Sequence, residues 1–236
     1  MTKPAWVPYF EVVGISPHAA YLLMPWIGAV DIALGVVMLV APRPIVIYWM
    51  VVWALWTALL RPLAGEPVWE ALERAGNYGA PAALLVFLAR VPSWLDGFRP
   101  AVFCAPTEAT CERARRLLTA IVVLILAGHG VLGLEGKRAL IANYESVLSA
   151  GLAATMTRWA GVFEIALAAA VAVTRWPALL YFVAVWKLAT ESLFLVAGAS
   201  VWEWVERGGS YTAPIALALL LACLKLRPAR RFATAL

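Results

Sequence analysis

Residues 44–63 read Pro44-Ile-Val-Ile-Tyr-Trp-Met-Val-Val-Trp-Ala-Leu-Trp-Thr-Ala-Leu-Leu-Arg-Pro-Leu63, and residues 177–196 read Pro177-Ala-Leu-Leu-Tyr-Phe-Val-Ala-Val-Trp-Lys-Leu-Ala-Thr-Glu-Ser-Leu-Phe-Leu-Val196. About 20 apolar residues at about 1.5 Å per residue cross the ~30 Å hydrocarbon core of a bilayer, so each run predicts a membrane-spanning helix. Each opens with proline, which is tolerated there because a first-turn N–H has no partner in the helix. The two runs also match each other. Pro44, Tyr48, Trp53 and Thr57 return as Pro177, Tyr181, Trp186 and Thr190.

The match extends well beyond these runs. Shifting the chain by 133 residues lays Trp26–Arg90 on Trp159–Cys223 without a gap, and 28 of those 65 positions are identical. Trp26, Gly28, Gly65, Val68, Trp69, Glu70, Glu73, Arg74, Gly76, Tyr78 and Pro81 become Trp159, Gly161, Gly198, Val201, Trp202, Glu203, Glu206, Arg207, Gly209, Tyr211 and Pro214. Asp31 becomes Glu164, so the acid is kept. A fixed internal period of this kind marks a repeated supersecondary unit.

The chain is 64% apolar and 14% charged, with a mean hydropathy of +0.83. Soluble domains are nearer 45–50% apolar and 25% charged, so water is not this chain's main solvent. Seven stretches are candidate spans: about Tyr21–Val40, Pro44–Leu63, Gly79–Val91, Arg116–Leu134, Thr155–Thr174, Trp176–Ala197 and Tyr211–Leu226. The third and seventh are short and rely on Arg90, Lys225 and Arg227 to snorkel. Pro44, Pro81, Pro177 and Pro214 are expected at helix starts. The expectation is an all-α polytopic membrane bundle of about seven spans, in two parallel tandem repeats of three plus four helices.

Residues 1–100 form the first repeat, 101–115 a basic cytoplasmic linker and 116–236 the second repeat. The second copy has an extra leading helix, Arg116–Leu134, followed by Lys137–Tyr144, which loosely matches Lys3–Phe10 at an offset of 134. The first copy's own leading helix is expected to have been lost, or to lie upstream of the start. No cleavable signal peptide is expected from the opening residues.

Basic residues set orientation. Lys3, Arg61, Arg74, Lys137, Arg138, Arg158 and Arg207 fall on one side; Arg43, Arg90, Arg99, Arg113, Arg115, Arg116, Arg175, Lys225, Arg227, Arg230 and Arg231 fall on the other. The second set is larger, which predicts a cytoplasmic carboxyl terminus in a bacterial inner membrane. The net charge of +5 reads as a topological signal, and no motif points to nucleic acid. Cys104, Cys111 and Cys223 lie at or near the same predicted cytoplasmic face, where thiols stay reduced, and their spacing fits no zinc signature.

Two groups of polar residues are candidate sites. The first is doubled: Trp69, Glu70, Glu73, Arg74 and Tyr78, repeated as Trp202, Glu203, Glu206, Arg207 and Tyr211. A helical reading pairs Glu70 with Arg74 and Glu203 with Arg207 at four-residue spacing, with Gly76 and Gly209 as left-handed helix ends. This is either an interfacial anchor or a pair of polar mouths for a headgroup, quinone or partner. The second group is intramembrane: Asp31, Glu164, Lys187 and Glu191. Charge in hydrocarbon is costly, so these residues need partners or a function. Lys187 and Glu191 belong only to the second copy, since Ala54 and Ala58 replace them in the first. Of the two histidines, His18 and His129, the latter is the candidate ligand. No metal set or catalytic triad is present in the spacing.

Gly128-His129-Gly130 late in a helix, Lys137 shortly after, and a following helix that begins Arg158-Trp-Ala-Gly-Val-Phe-Glu164 resemble the DoxX-like family of small bacterial membrane proteins. Trp26-Ile-Gly-Ala-Val-Asp31 echoes the later part in the first copy, without the Gly-His-Gly helix. The resemblance covers Arg116–Leu226 and, in part, Lys3–Val91. It implies a four-helix unit, and one branch of the family is associated with a thiosulfate:quinone oxidoreductase. The resemblance therefore implies a membrane subunit supporting quinone-linked redox chemistry. Quinone is then the cofactor to look for, haem is disfavoured, and the partners are the lipid bilayer with other redox subunits or a homo-oligomer. The alternative is a non-enzymatic carrier of small solutes or ions, or a scaffold subunit. The sequence identifies no catalytic residue.

Overall fold

The structure is a computed structural model that describes residues 2–233, with side chains through residue 224. The basic side chains Lys225, Arg227, Arg230 and Arg231 of the orientation count therefore lie outside the described residues. A 3-10 turn, Pro4–Trp6, leads into α1 (Val7–Glu11), α2 (Pro17–Val40), α3 (Pro44–Leu63), α4 (Trp69–Glu73) and α5 (Ala75–Leu85). After a second 3-10 turn, Leu95–Phe98, come α6 (Glu108–Leu134), α7 (Arg138–Glu145), α8 (Ala150–Val173), α9 (Pro177–Val196), α10 (Val201–Glu206) and α11 (Gly208–Ala233). Among the described residues there is no strand, only an isolated bridge from Leu88 to Phe103.

The fold is an all-α bundle. Among the described residues six helical segments are long and apolar enough to cross a membrane: Pro17–Val40, Pro44–Leu63, Glu108–Leu134, Ala150–Val173, Pro177–Val196 and Val201–Leu224, the last running through α10 into α11. This is a multi-pass integral membrane protein. The bounds of α2 and α3, shifted by 133, coincide with those of α8 and α9. Gly65 and Gly198, equivalent in the sequence match, both turn the chain at positive φ, 91° and 86°.

The third expected span, Gly79–Val91, differs from the rest. Its helix is α5, 11 residues long, and it stops at Leu85. Beyond it the chain turns at Val86 and Phe87 and then runs without helix, with Ala89 N–H donating to Val102 and Cys104 N–H to Phe87. Pro92 disfavours helical backbone at Val91, and those linker bonds satisfy the freed backbone groups. The linker still reaches the turn between α2 and α3, where Ala101 N–H donates to Pro42 and Arg43 to the Phe98 carbonyl.

The core gathers around α6. Leu118, Ile121, Val122, Ile125 and Leu126 pack with Leu167 and Val171 of α8, Leu180 and Val183 of α9, and Leu217, Ala218 and Leu221 of α11. A capping box at Thr107 and Thr110 starts the helix by satisfying its first free N–H groups. Glycines set the distance between α6 and α8: a β-carbon at Gly161 would fall 2.5 Å from the Gly130 carbonyl oxygen. Close helix approach through small residues is how spans pack without a hydrophobic drive.

Two expectations about the doubled element are corrected. Gly76 and Gly209 are not left-handed helix ends; they lie in the first turns of α5 and α11. Glycine is needed there because the two backbones meet: a β-carbon on either residue would lie 2.6 Å from the other's carbonyl carbon. Pro81 also lies inside its helix. The same holds for Pro214 in α11, because α5 and α11 begin immediately after Arg74 and Arg207, earlier than the prolines suggested.

Candidate functional site

Helical spacing places Lys187 and Glu191 one turn apart on α9, both facing inward. The Lys187 ammonium lies 3.0 Å from Glu191 Oε1 and 3.3 Å from Glu164 Oε1, and all three residues are at most 1% exposed. Glu164 also accepts from Trp186 Nε1 at 2.9 Å and from His129 Nδ1 at 2.6 Å. One carboxylate thus receives three donors from α6 and α9. A buried ion is tolerable when its lone pairs are filled in this way.

The polar chain continues toward the doubled element. Glu191 Oε2 lies 3.5 Å from Arg207 Nη1, whose guanidinium stacks 3.9 Å from the Phe194 ring centre. Arg207 reaches Glu73 at 3.7 Å, and Glu73 is also 3.6 Å from Lys137 and 3.9 Å from Arg74. Burial pushes the Glu73 carboxyl up, but Lys137, Arg207 and Arg74 outweigh it and hold it well below the usual carboxylate range. Arg74 meets Glu206 at 2.8 Å, and Lys137 meets Glu70 at 2.7 Å.

These pairs are reciprocal between the copies. Arg74 pairs with Glu206, and its counterpart Arg207 pairs with Glu73. Lys137 bridges Glu70 and Glu73, while Lys3 bridges Glu203 and Glu206 at 3.5 and 3.3 Å. Contacts of i with j and j with i are what a twofold relation produces. The expected pairs Glu70–Arg74 and Glu203–Arg207 do not form. α4 and α10 end before either arginine, at backbone angles near φ −90° and ψ +5 to +10° that turn the guanidinium toward the other copy.

Asp31 stands apart from the intramembrane group. It lines a cavity of about 380 Å³ with Trp6, Tyr9 and Phe10 at one end, Trp53, Ala54, Trp56 and Thr57 along α3, and Arg61, Arg74 and Glu206 at the polar end. Ala54 stands where the second copy has Lys187, so the cavity occupies the space that the lysine fills there. Trp53 is beside Asp31 as Trp186 is beside Glu164. At the polar end, Arg61 donates to Tyr9 at 2.9 Å and to Glu66 at 3.2 Å, and Tyr9 donates to Glu66. Burial and that bond to Glu66 push the Tyr9 phenol above its ordinary range.

Of the remaining candidates, Tyr78 and Tyr211 each donate at 3.3 Å to a backbone carbonyl seven residues back, Ala71 and Trp204. Trp69 is half-buried and Trp202 is exposed. No group of three or more His, Cys, Asp or Glu arranged for a metal occurs among the described residues. Sequence reasoning missed Lys3, Tyr9, Arg61, Glu66, Lys137, Trp53 and Trp186 as site residues. Two signals pointed at some of them: the identity of Trp53 and Trp186, and the match of Lys3 to Lys137. Comparison with protein-family models, curated proteins and solved structures finds no match to this chain.

Chemically, the arrangement joins a filled polar site at Glu164 to an open aromatic cavity through alternating charges no more than 3.9 Å apart. Arginine does not deprotonate, so the chain is an electrostatic coupling between the two sites and not a simple proton wire.

Proposed function

We propose that the protein is a DoxX-like membrane subunit that holds a quinone headgroup in the cavity between α1, α2 and α3 and supports quinone-linked redox chemistry. The observation that carries this reading is the cavity itself: about 380 Å³, walled by Trp6, Tyr9, Phe10, Trp53 and Trp56, with Asp31, Arg61, Arg74 and Glu206 among its polar groups. Binding sites for flat ligands are mostly apolar with a few convergent polar groups. A quinone ring stacks on such walls, and its carbonyl oxygens accept from Arg61 or Tyr9. Reduction of a quinone to a quinol takes up two electrons and two protons. A partner redox subunit supplies the electrons, water supplies the protons, and Tyr9 and Asp31 line the cavity where they are taken up.

The test is saturable quenching of tryptophan fluorescence by a short-chain soluble quinone added to the purified protein. Ala54→Trp, which fills the cavity, should abolish the saturable component. Quenching that never saturates, or that survives Ala54→Trp unchanged, rejects the reading.

The reciprocal ion pairs favour a second reading, a non-enzymatic scaffold or carrier in which the charges lock the two copies together. It predicts that Lys137→Ala loosens the fold while quinone binds nowhere. In either reading we place the chain in the bacterial inner membrane with the carboxyl terminus and the linker in the cytoplasm. Cys104 is exposed, so an impermeant thiol reagent outside intact cells should leave it unlabelled. Labelling would invert the orientation.

A further inference from the structure

The second copy shows how its α8 is covered. α6 lies on it through Gly130, Gly133 and Gly161, and presents His129 to Glu164. α6 also covers α4: a β-carbon at Gly128 would fall 2.5 Å from the Glu73 amide nitrogen. Under that cover Glu70, Ala71 and Glu73 of α4 are buried, as are Gly161, Glu164, Leu167, Ala168 and Val171 of α8.

The surface related to it by the exchange of the copies, made of α2 in the first and α10 in the second, is bare. A β-carbon at Gly28, the counterpart of Gly161, meets nothing within 4 Å. Asp31 is exposed in the middle of an apolar helix and makes no ion pair among the described residues. α10, the counterpart of α4, buries no residue, and its Trp202 and Val205 are 55% and 52% exposed. An acid facing hydrocarbon is costly, and so is leaving a small-residue face without a neighbour to pack on it.

We propose that this face, formed by α2 and α10, seats a transmembrane helix of another polypeptide, placed as α6 is placed on the second copy. The occupant carries small residues at Gly28 and a hydrogen-bond donor opposite Asp31. The α6 of a second copy does not supply it, because that helix is already enclosed by α4, α5, α8 and α11 of its own chain. The helix would also wall the cavity at Asp31, as α6 walls the site at Glu164; that consequence, though not the docking, rests on the cavity being a ligand site.

The probe is a fluorescent peptide with the sequence of Glu108–Leu134, titrated in detergent micelles against the full-length purified protein without quinone. The expected result is saturable one-to-one binding, weakened at least tenfold by Gly28→Leu in the protein or by His129→Ala in the peptide. A β-carbon at Gly28 meets nothing within 4 Å, so the leucine should leave the fold intact, which an unchanged melting curve verifies. Ala54→Trp should leave peptide binding unchanged, so failure of the cavity reading and failure of the docking are told apart. No saturable binding, or equal binding to Gly28→Leu, overturns the proposal. Self-association of the chain that Gly28→Leu abolishes also overturns it, since a second copy then covers the face.

Discussion

Around Glu164 the interior is filled with polar partners: His129, Trp186 and Lys187 donate to one carboxylate, and Glu191 holds the lysine. Around Asp31, at the matching place in the first copy, the tryptophan is kept as Trp53, but the lysine and its partner are Ala54 and Ala58. One unit has therefore become a self-contained polar core and the other an open cavity. The reciprocal pairs Arg74–Glu206 and Arg207–Glu73 keep the two in register, so the charge of one site is felt at the other.

The largest effect should come from breaking the filled site. Lys187→Met leaves two buried acids without their cation and should cost roughly 3–5 kcal/mol, read as a drop in melting temperature. Replacing Glu164, Lys187 and Glu191 together by apolar residues should restore much of that loss. If the triple variant is as unstable as the single one, the three charges do not balance one another as a unit.

Glycine substitutions should separate the copies next. Gly161→Leu drives a side chain into the α6 backbone and should cost more than the roughly 1–3 kcal/mol of ordinary overpacking, because neither helix can give way. Gly28→Leu should change stability by less than about 0.5 kcal/mol in the isolated protein. Equal effects at the two positions would erase the difference between a covered and a bare face.

A gain of function sharpens the comparison. Ala54→Lys with Ala58→Glu builds the second copy's pair into the first, with Asp31 as the added acid. Quinone affinity should fall at least tenfold, about 1.4 kcal/mol, while the protein still folds. Unchanged affinity in a titration would place the ligand elsewhere.

The smallest effect concerns acid. The Glu73 carboxyl is held low in the folded protein, so its contribution to stability is fully present above the unfolded carboxyl value of about 4.3 and is lost only as pH falls through the depressed folded value. Melting temperature should fall in strong acid, and Glu73→Gln should remove part of that fall. A variant with the same acid profile as wild type would show that Lys137, Arg207 and Arg74 do not act on Glu73.

Sequence alone determined the solvent and most of the long helices. Twenty apolar residues in a row leave few alternatives in a bilayer, where backbone groups must bond within the segment, and identical residues at one offset yield helices with matching ends at α2 and α8 and at α3 and α9. The Lys187–Glu191 pair was readable for the same reason: one helical turn is local geometry. Only the tertiary structure decided where the remaining charges go. Glu70 and Arg74 have the right spacing to pair, yet Arg74 crosses to Glu206, because α4 ends before it and the other copy's acid lies 2.8 Å away. Gly76 and Gly209 looked like helix ends, but they mark the place where the two backbones touch. The cavity could not be read from the sequence, since a lysine replaced by an alanine says nothing of whether neighbours close the gap. Spacing along one helix fixes only the partners on that helix; who stands opposite is settled when helices dock, and docking depends on every face at once.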